Sequence, residues 1–449
     1  MEYRQFIEAL FQRAKAAGFT DCEAYYSAGE SFSVKVFKGE ILKYSASDEL
    51  GLGFRGLYNG KMGYASTQIL DEEAIDLLVE GAKSNAELIE NDDPQPLYPG
   101  DSEYAKVDPW SDALNEITPA QKIELAKRLE ALTLAQDERI DQLESCQVFS
   151  SVGETAIVNT LGLNVHSRGN VLGGFTMPTA KDGDQTGSGW SMFAAQQPEE
   201  INLESTAKEA ADRAIASMLG ESVPSGVSRV VLAPEAAADL LETFCGVFSA
   251  DAAQRGLSLL NGREGEQIAA SCVTLIDDPH RAGSVSSSAF DGEGVATKRH
   301  SVINSGKLTT LLYNLKTAAK QGVLSTGNAT RSYNSSVGIA PFNFYFAPSA
   351  LSEDALLAQL GDGLRITEVQ GLHAGANPIS GDFSLSAKGF QVVGGKQAQP
   401  VKQITIAGNF YQLLKDIEAV GGDLKFGMPG GSCFGSPSLL VSKLSIAGK

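Results

Sequence analysis

Apolar residues along this chain recur at two periods, and the changes of period mark out helices and strands. Residues 2–17 place Phe6, Ala9, Leu10, Ala14 and Ala17 at helical spacing, with Gly18 as a stop. From residue 22 to 67 the period becomes two. Ser33-Val34-Lys35-Val36-Phe37 alternates, Lys38-Gly39-Glu40 turns, and Tyr58-Asn59-Gly60-Lys61 carries an Asn-Gly hairpin signal. Residues 71–90 return to a helical pattern and open on acidic residues, which suit the positive end of the helix dipole. Thr118-Pro119-Ala120-Gln121 starts a helix running to about residue 135. Thr118 is its N-cap, Pro119 fits the first helical position, and Gln121 completes a capping box. Strand-like runs follow at 142–150, 154–159, 164–168 and 187–195. A helix then spans 202–219, between Asn202 as cap and Gly220 as stop.

The second half is dominated by alternation. Residues 229–232 read as a strand, and Pro234 opens a helix predicted over 235–253. Asn304-Ser305-Gly306-Lys307 predicts a turn between strands at 298–303 and 308–312, and 351–360 predicts a short helix. Residues 367–409 mix closely spaced glycines with alternating positions, which predicts several short antiparallel strands joined by tight turns. Two connectors stand out: 91–109, rich in Pro, Asp and Gly, and 221–228. The expected fold class is α+β. A mixed helix and antiparallel-sheet part covers 1–222, with a sub-boundary in 91–109. A C-terminal domain of large, mostly antiparallel sheets covers 223–449.

With 449 residues the chain can bury two or three sizeable cores. Its 36 basic against 55 acidic residues leave a charge of −19, which disfavours a phosphate backbone as partner. The N-terminal MEYRQFIEAL carries charge where a signal peptide needs an apolar core. No stretch approaches the roughly 18 uninterrupted apolar residues of a membrane span. The five cysteines are scattered, odd in number and form no CxxC pair. The expectation is a cytoplasmic protein without nucleic-acid or membrane partners.

Within 367–409, Ser380-Gly381-Asp382-Phe383-Ser384, Lys388-Gly389-Phe390 and Ile404-Thr405-Ile406-Ala407-Gly408-Asn409 resemble the TldD/PmbA family of peptidase-related proteins, in its PmbA (TldE) branch. Phe290-Asp291-Gly292-Glu293-Gly294-Val295, Ser325-Thr326-Gly327-Asn328 and Val420-Gly421-Gly422-Asp423-Leu424 extend the likeness in order. The resemblance implies a cytosolic bacterial or archaeal protein. It also implies a complex of a TldD-type with a PmbA/TldE-type subunit, which degrades or trims unfolded peptides. The family's older label is modulator of DNA gyrase, and the acidic charge argues against reading that as DNA binding.

TldD-type subunits carry His-Glu-x-x-x-His on the helix opening the C-terminal domain, and a cysteine near the C-terminus. Imidazoles one turn apart and a thiolate suit zinc, and the glutamate suits a general base. By this resemblance the first ligand position falls on Leu241 or Glu242, the second on Gly246 or Val247, and the cysteine on Cys433. No histidine lies between His166 and His280, so neither pair builds the site. The expectation is no catalytic or metal-binding residue here, with zinc only in a TldD-type partner. Glu242 and Cys245 share a helix face, either as remnants of a reactive site or as a rim carboxylate beside a small core residue. Asp277-Asp278-Pro279-His280 reads as a solvated loop, and His300 as a strand residue. Gly381, Asp382, Phe383 and His373 are the candidate peptide cleft. Neither a Gly-x-Ser-x-Gly elbow nor a phosphate-binding loop is present. The expected role is to enclose a chamber and hold extended peptide by strand addition, with a homodimer forming when no partner is present. An independently active metallopeptidase with an unrecognised site and a homodimeric peptide-binding scaffold are the alternatives.

Overall fold

The computed structural model describes residues 1–90 and 95–449, so the first four residues of the connector expected at 91–109 lie outside the described residues. In chain order the first half contains α1 (Tyr3–Ala16), β1 (Cys22–Phe37), β2 (Glu40–Tyr58), β3 (Lys61–Thr67), α2 (Glu72–Leu88), α3 (Asp112–Asn115), α4 (Pro119–Leu134), β4 (Ile140–Asn159), β5 (Asn164–Asp182), β6 (Gln185–Ser188), β7 (Ser191–Ala195) and α5 (Leu203–Leu219). Its strands make one seven-stranded sheet in the order β3-β2-β1-β4-β5-β6, with β7 also on β5. Residues before and after 91–109 share this sheet, because β1 pairs antiparallel with β4.

The turns are built as their residues require. Lys38 and Gly39 (φ 54° and 76°) and Asn59 and Gly60 (φ 48° and 79°) are left-handed pairs, the geometry whose twist matches two antiparallel strands. The Thr118 capping box forms: Gln121 N donates to Thr118 Oγ1 at 3.3 Å, and Thr118 N donates to Gln121 Oε1 at 2.8 Å. Helices cover both ends of one sheet. Phe6, Leu10 and Leu78 pack on Leu52 and Phe54, while Leu129, Ala207 and Ala211 pack on Val34, Val148 and Leu172. The strands expected at 142–150 and 154–159 are one strand, β4, and that at 164–168 is only the start of the 19-residue β5. Glycine did not break β5, because the bare backbone of Gly173 lies under the Phe149 ring, where a Cβ would stand 2.5 Å from a ring carbon.

The second half contains β8 (Gly226–Leu232), α6 (Pro234–Phe244), α7 (Ala250–Gln254), β9 (Leu275–Asp277), β10 (His300–Asn304), β11 (Lys307–Leu308), α8 (Leu315–Gln321), β12 (Ala329–Thr330), β13 (Gly338–Ile339), β14 (Asn343–Phe346), α9 (Glu353–Leu360), β15 (Gly363–Gln370), α10 (Leu372–Gly375), β16 (Asp382–Val393), β17 (Lys396–Asn409), α11 (Phe410–Asp416), β18 (Ile417–Val420), β19 (Lys425–Phe426), β20 (Cys433–Ser436) and β21 (Leu439–Ala447). One sheet runs β17-β16-β15-β8-β21-β18, and β17 also pairs with β21, which closes five strands on themselves. A second sheet runs β11-β10-β9-β14-β20-β19. β8 pairs parallel with β15, and β14 with β20, while the other pairs are antiparallel. Mixed helix and largely antiparallel sheet make this an α+β protein.

α6 is held between the two sheets. Its Leu240, Leu241 and Phe244 share one core with Leu232 and Ile366 of the closed sheet and Leu275 and Phe344 of the other. The single helix expected over 235–253 is broken here. A 3-10 turn follows at Cys245–Phe248, and α7 restarts under a cap from the Ser249 side chain. The cause is tertiary: Leu312 N donates to Phe248 O at 2.8 Å and Ala250 N donates to Leu312 O at 2.9 Å, so these groups leave the helical ladder. Residues 367–409 form long rather than short strands, with β16 and β17 turning through Gly394 and Gly395 (φ 55° and 76°).

Candidate functional site

The outward face of α6 and the start of β20 form the region where the zinc motif was expected to be degenerate. The spacing His-Glu-x-x-x-His covers positions i, i+1 and i+5. One register therefore takes Leu241, Glu242 and Gly246, and the other starts at Glu242 and ends at Val247. Leu241 and Val247 are 0% and 1% exposed and belong to the core between the sheets. Glu242 and Gly246 are exposed. Cys433 opens β20, buried, with its Sγ 3.8 Å from Gly427 O. Its thiol is pushed up to about 11, first by burial and then by the Glu242 charge, against a lowering pull from Arg281. The Glu242 charge therefore reaches Cys433 across the packing of α6 on β20.

This donor set does not fit zinc. A catalytic zinc takes neutral imidazoles and deprotonated thiolate or carboxylate. The region offers one buried thiol, one exposed carboxylate, a core leucine or valine, and a glycine, with no imidazole at the motif's positions. Among the described residues, no group of three or more His, Cys, Asp or Glu could hold a metal ion.

What α6 presents outward is acid. Glu235, Asp239 and Glu242 follow one another at i, i+4 and i+7, one helix face. Burial would raise Glu235, but Arg213 at 2.7 Å and Lys425 at 3.1 Å hold its carboxyl below the usual value. Asp239 has no such partner among the described residues and is pushed up to about 7, by burial and then by Glu242, Glu235 and Glu368. Glu242, exposed overall, is also raised, by the partial burial of its carboxyl. Cys245 lies at the rim of the core, and burial followed by the Glu242 charge pushes its thiol up to about 11.

Three of the four candidate peptide-cleft residues, Gly381, Asp382 and Phe383, fall at the head of β16. Gly381 adopts φ 84°. The Asp382 carboxylate accepts from Ser380 Oγ at 2.8 Å and Asn409 Nδ2 at 2.9 Å, tying β16 to β17. Phe383 is buried, its ring 6.2 Å from that of Phe244. His373 is exposed on α10. None of the four lines the two cavities described below.

The four histidines are dispersed. His166 Nε2 bonds Glu154 Oε1 at 2.7 Å, His280 Nε2 bonds Thr297 Oγ1 at 3.0 Å, and His300 Nδ1 bonds Lys298 O at 2.9 Å. The solvated loop expected at 277–280 needs correction at its first residue. Asp277 is 0% exposed and accepts from Asn328 Nδ2 at 2.6 Å and Phe342 N at 2.8 Å. Burial pushes its carboxyl up to about 7. It is buried because β9 is an inner strand between β10 and β14.

Sequence reasoning missed a buried charge cluster between the two halves. Glu23 on β1 stands directly across from Arg55 on β2, and Arg55 Nε donates to Glu23 Oε1 at 2.7 Å. Arg331 Nη2, just after β12, donates to the same oxygen at 2.6 Å, and Asn159 Nδ2 donates to Glu23 Oε2 at 3.3 Å. Glu293 Oε1 lies 3.8 Å from Arg55 Nη1. The signal available was a Glu and an Arg at inward positions of neighbouring strands. The third member comes from too far along the chain to be anticipated. Two cavities flank Arg331. One of about 460 Å³ is walled by Arg55, Tyr64, Asn85, Glu293, Arg331 and Tyr333. The other, about 400 Å³, is walled by Tyr25, Ser151, Arg168, Ser287, Arg331 and Gly431.

Family models match nearly all of the chain. Residues 22–86 match PmbA/TldA metallopeptidase domain 1, 112–218 the central domain and 225–448 the C-terminal domain. The chain is 28% identical over 447 residues to metalloprotease PmbA of Escherichia coli O157:H7, covering 97% of this chain and 94% of that protein. It is 29% identical to a metalloprotease PmbA homologue of Haemophilus influenzae, covering 100% of this chain and 96% of the other. Among solved structures it is similar to a candidate modulator of a DNA gyrase from Thermotoga maritima, with TM-score 0.91 and 34% identity over 99% of this chain and 100% of that one. TldE of Thermococcus kodakarensis shares the fold, with TM-score 0.90 and 22% identity over 99% of this chain and 100% of the other. With its domains matched in order and its fold superimposing over its whole length, the chain belongs to the PmbA/TldD family.

Proposed function

We propose that this chain is the PmbA/TldE-type subunit of a two-subunit metalloprotease acting on unfolded peptides in the cytoplasm. A TldD-type partner carries the zinc, and this chain encloses the chamber and holds peptide without cutting it. The observation that carries the reading is the chemistry at α6 and β20. The motif's ligand positions fall on a core leucine and a glycine, or on a carboxylate and a core valine, opposite the buried Cys433. The relatives named metalloprotease lend the family's chemistry, while this chain's own side chains at those positions do not supply it. The acidic face of Glu235, Asp239 and Glu242 would favour peptides that carry positive charge.

The test uses the purified full chain, a TldD-type partner and an unfolded basic peptide. Zinc content is measured for each protein alone, and peptide cleavage for each alone and mixed. The expected result is less than stoichiometric zinc and no cleavage for this chain alone, with faster cleavage by the mixture than by the partner alone. Stoichiometric zinc in this chain, or a partner equally fast alone, would overturn the reading.

A further inference from the structure

We infer that the cavity of about 460 Å³ between β2, β3 and residues 331–337 is a binding site for the carboxylate of a small ligand, such as a short peptide with a free C-terminus. Three observations lead there. The first is unused donor capacity. The Arg55 and Arg331 side chains are 3% and 6% exposed and both form the wall, yet Arg55 Nη2 and Arg331 Nε are buried with no acceptor among the described residues. A buried donor left unmade costs about 1–3 kcal/mol, so an acceptor brought to either guanidinium would relieve that cost.

The second is charge. Both guanidiniums share one oxygen of Glu23, whose carboxyl stays low although burial opposes it, because Arg55 and Arg331 stabilise its charge. Glu293, the acid in the described lining, is raised by burial against the lowering pull of Arg55, and its Oε2 accepts from Leu315 N at 2.9 Å. Among the described lining residues Arg55, Lys316 and Arg331 are basic and Glu293 is acidic, a wall that favours an anionic group. Guanidinium and carboxylate also match as paired forks.

The third is size and lining. The volume falls within the range of about 300–1,000 Å³ typical of small-ligand sites. Past the arginines the wall holds the rings of Phe54, Tyr64 and Tyr333 with Asn85, Asn314 and Ser336, a mixture suited to amide groups and short side chains. This site does not depend on a protease partner, so the chain alone tests it.

The experiment is calorimetric titration of the full chain with N-acetyl-trialanine, its C-terminal amide and inorganic phosphate. A Ser336→Trp variant, which narrows the cavity from an exposed position of the wall, is titrated in parallel, and its melting temperature is checked. The expected result is saturable one-to-one binding of the acid, at least tenfold weaker binding of the amide and of phosphate, and at least tenfold loss in Ser336→Trp at unchanged melting temperature. Equal affinity for acid and amide, tighter binding of phosphate, unaltered binding in the variant, or no binding of the acid would each overturn the proposal.

Discussion

Arg331 Nη2 donates to Glu23 Oε1 across 2.6 Å, joining residues 308 positions apart in the chain. The Arg331 guanidinium also lies 4.6 Å from the centre of the Tyr25 ring, and Tyr25 Oη donates to Arg331 O at 3.2 Å. β1 is thereby clasped to the segment after β12. Glu23 is 0% exposed and serves two arginines, so its removal leaves the buried Arg331 side chain without this carboxylate and Arg55 with the longer contact to Glu293 at 3.8 Å. Glu23→Gln is expected to cost about 3–5 kcal/mol, the usual range for one partner lost from a buried pair. Urea unfolding measures it. A loss under about 1 kcal/mol would show that the clasp contributes little.

Leu241 lies in the core, so restoring the motif there should not restore a site. Leu241→His removes apolar packing and buries an imidazole, at an expected cost of about 2–5 kcal/mol in thermal or urea unfolding. The double variant Leu241→His with Gly246→His is expected to remain short of stoichiometric zinc by metal analysis. One zinc per chain would show that α6 can turn this position to the solvent face.

Asp239 ties stability to pH. Its carboxyl takes up a proton at about 7 in the folded chain, against about 4 for an ordinary aspartate. Between those values the folded state holds more protons than the unfolded one, so stability falls as pH rises from about 4 to 7. The whole penalty stands above 7. Asp239→Asn is expected to leave stability unchanged near pH 4 and to raise it by roughly 1–2 kcal/mol at pH 8. That is a discount on the roughly 4 kcal/mol of a full three-unit shift, because the side chain is only partly buried. Melting curves of both proteins across this range decide it, and parallel curves would remove Asp239 as the cause.

The cysteines should differ in reactivity. Thiolate is the reacting form, and burial pushes both Cys433 and Cys245 up to about 11, whereas Cys272 is exposed. Iodoacetamide at pH 8, read by mass spectrometry, is expected to label Cys272 first and Cys433 only on unfolding. Rapid labelling of native Cys433 would reveal a thiolate ready for a metal.

Much of the local structure was legible because local chemistry decides it. The capping box at Thr118, the Asn59-Gly60 turn and the amphipathic α1 and α2 depend on residues within a few positions of one another. The break after Phe244 was not legible, since it depends on hydrogen bonds from residue 312. Nor was the length of β16 and β17, where glycines suggested frequent turns. At Gly389 the missing side chain answers a neighbour: a Cβ there would stand 1.9 Å from Arg365 O on β15.

By itself the sequence determined the α+β class, the family, the acidic charge and the absence of histidine from α6. The class, the charge and the missing histidine follow from composition, period and residue type, and the family from the likeness of ordered motifs, none of which needs a partner in space. Only the tertiary structure decided that Leu241 and Val247 lie in the core, that Glu242 raises the Cys433 thiol, and that Glu23, Arg55 and Arg331 meet beside a cavity. Burial and charge pairing depend on which distant segments pack together, and here they join residues hundreds of positions apart.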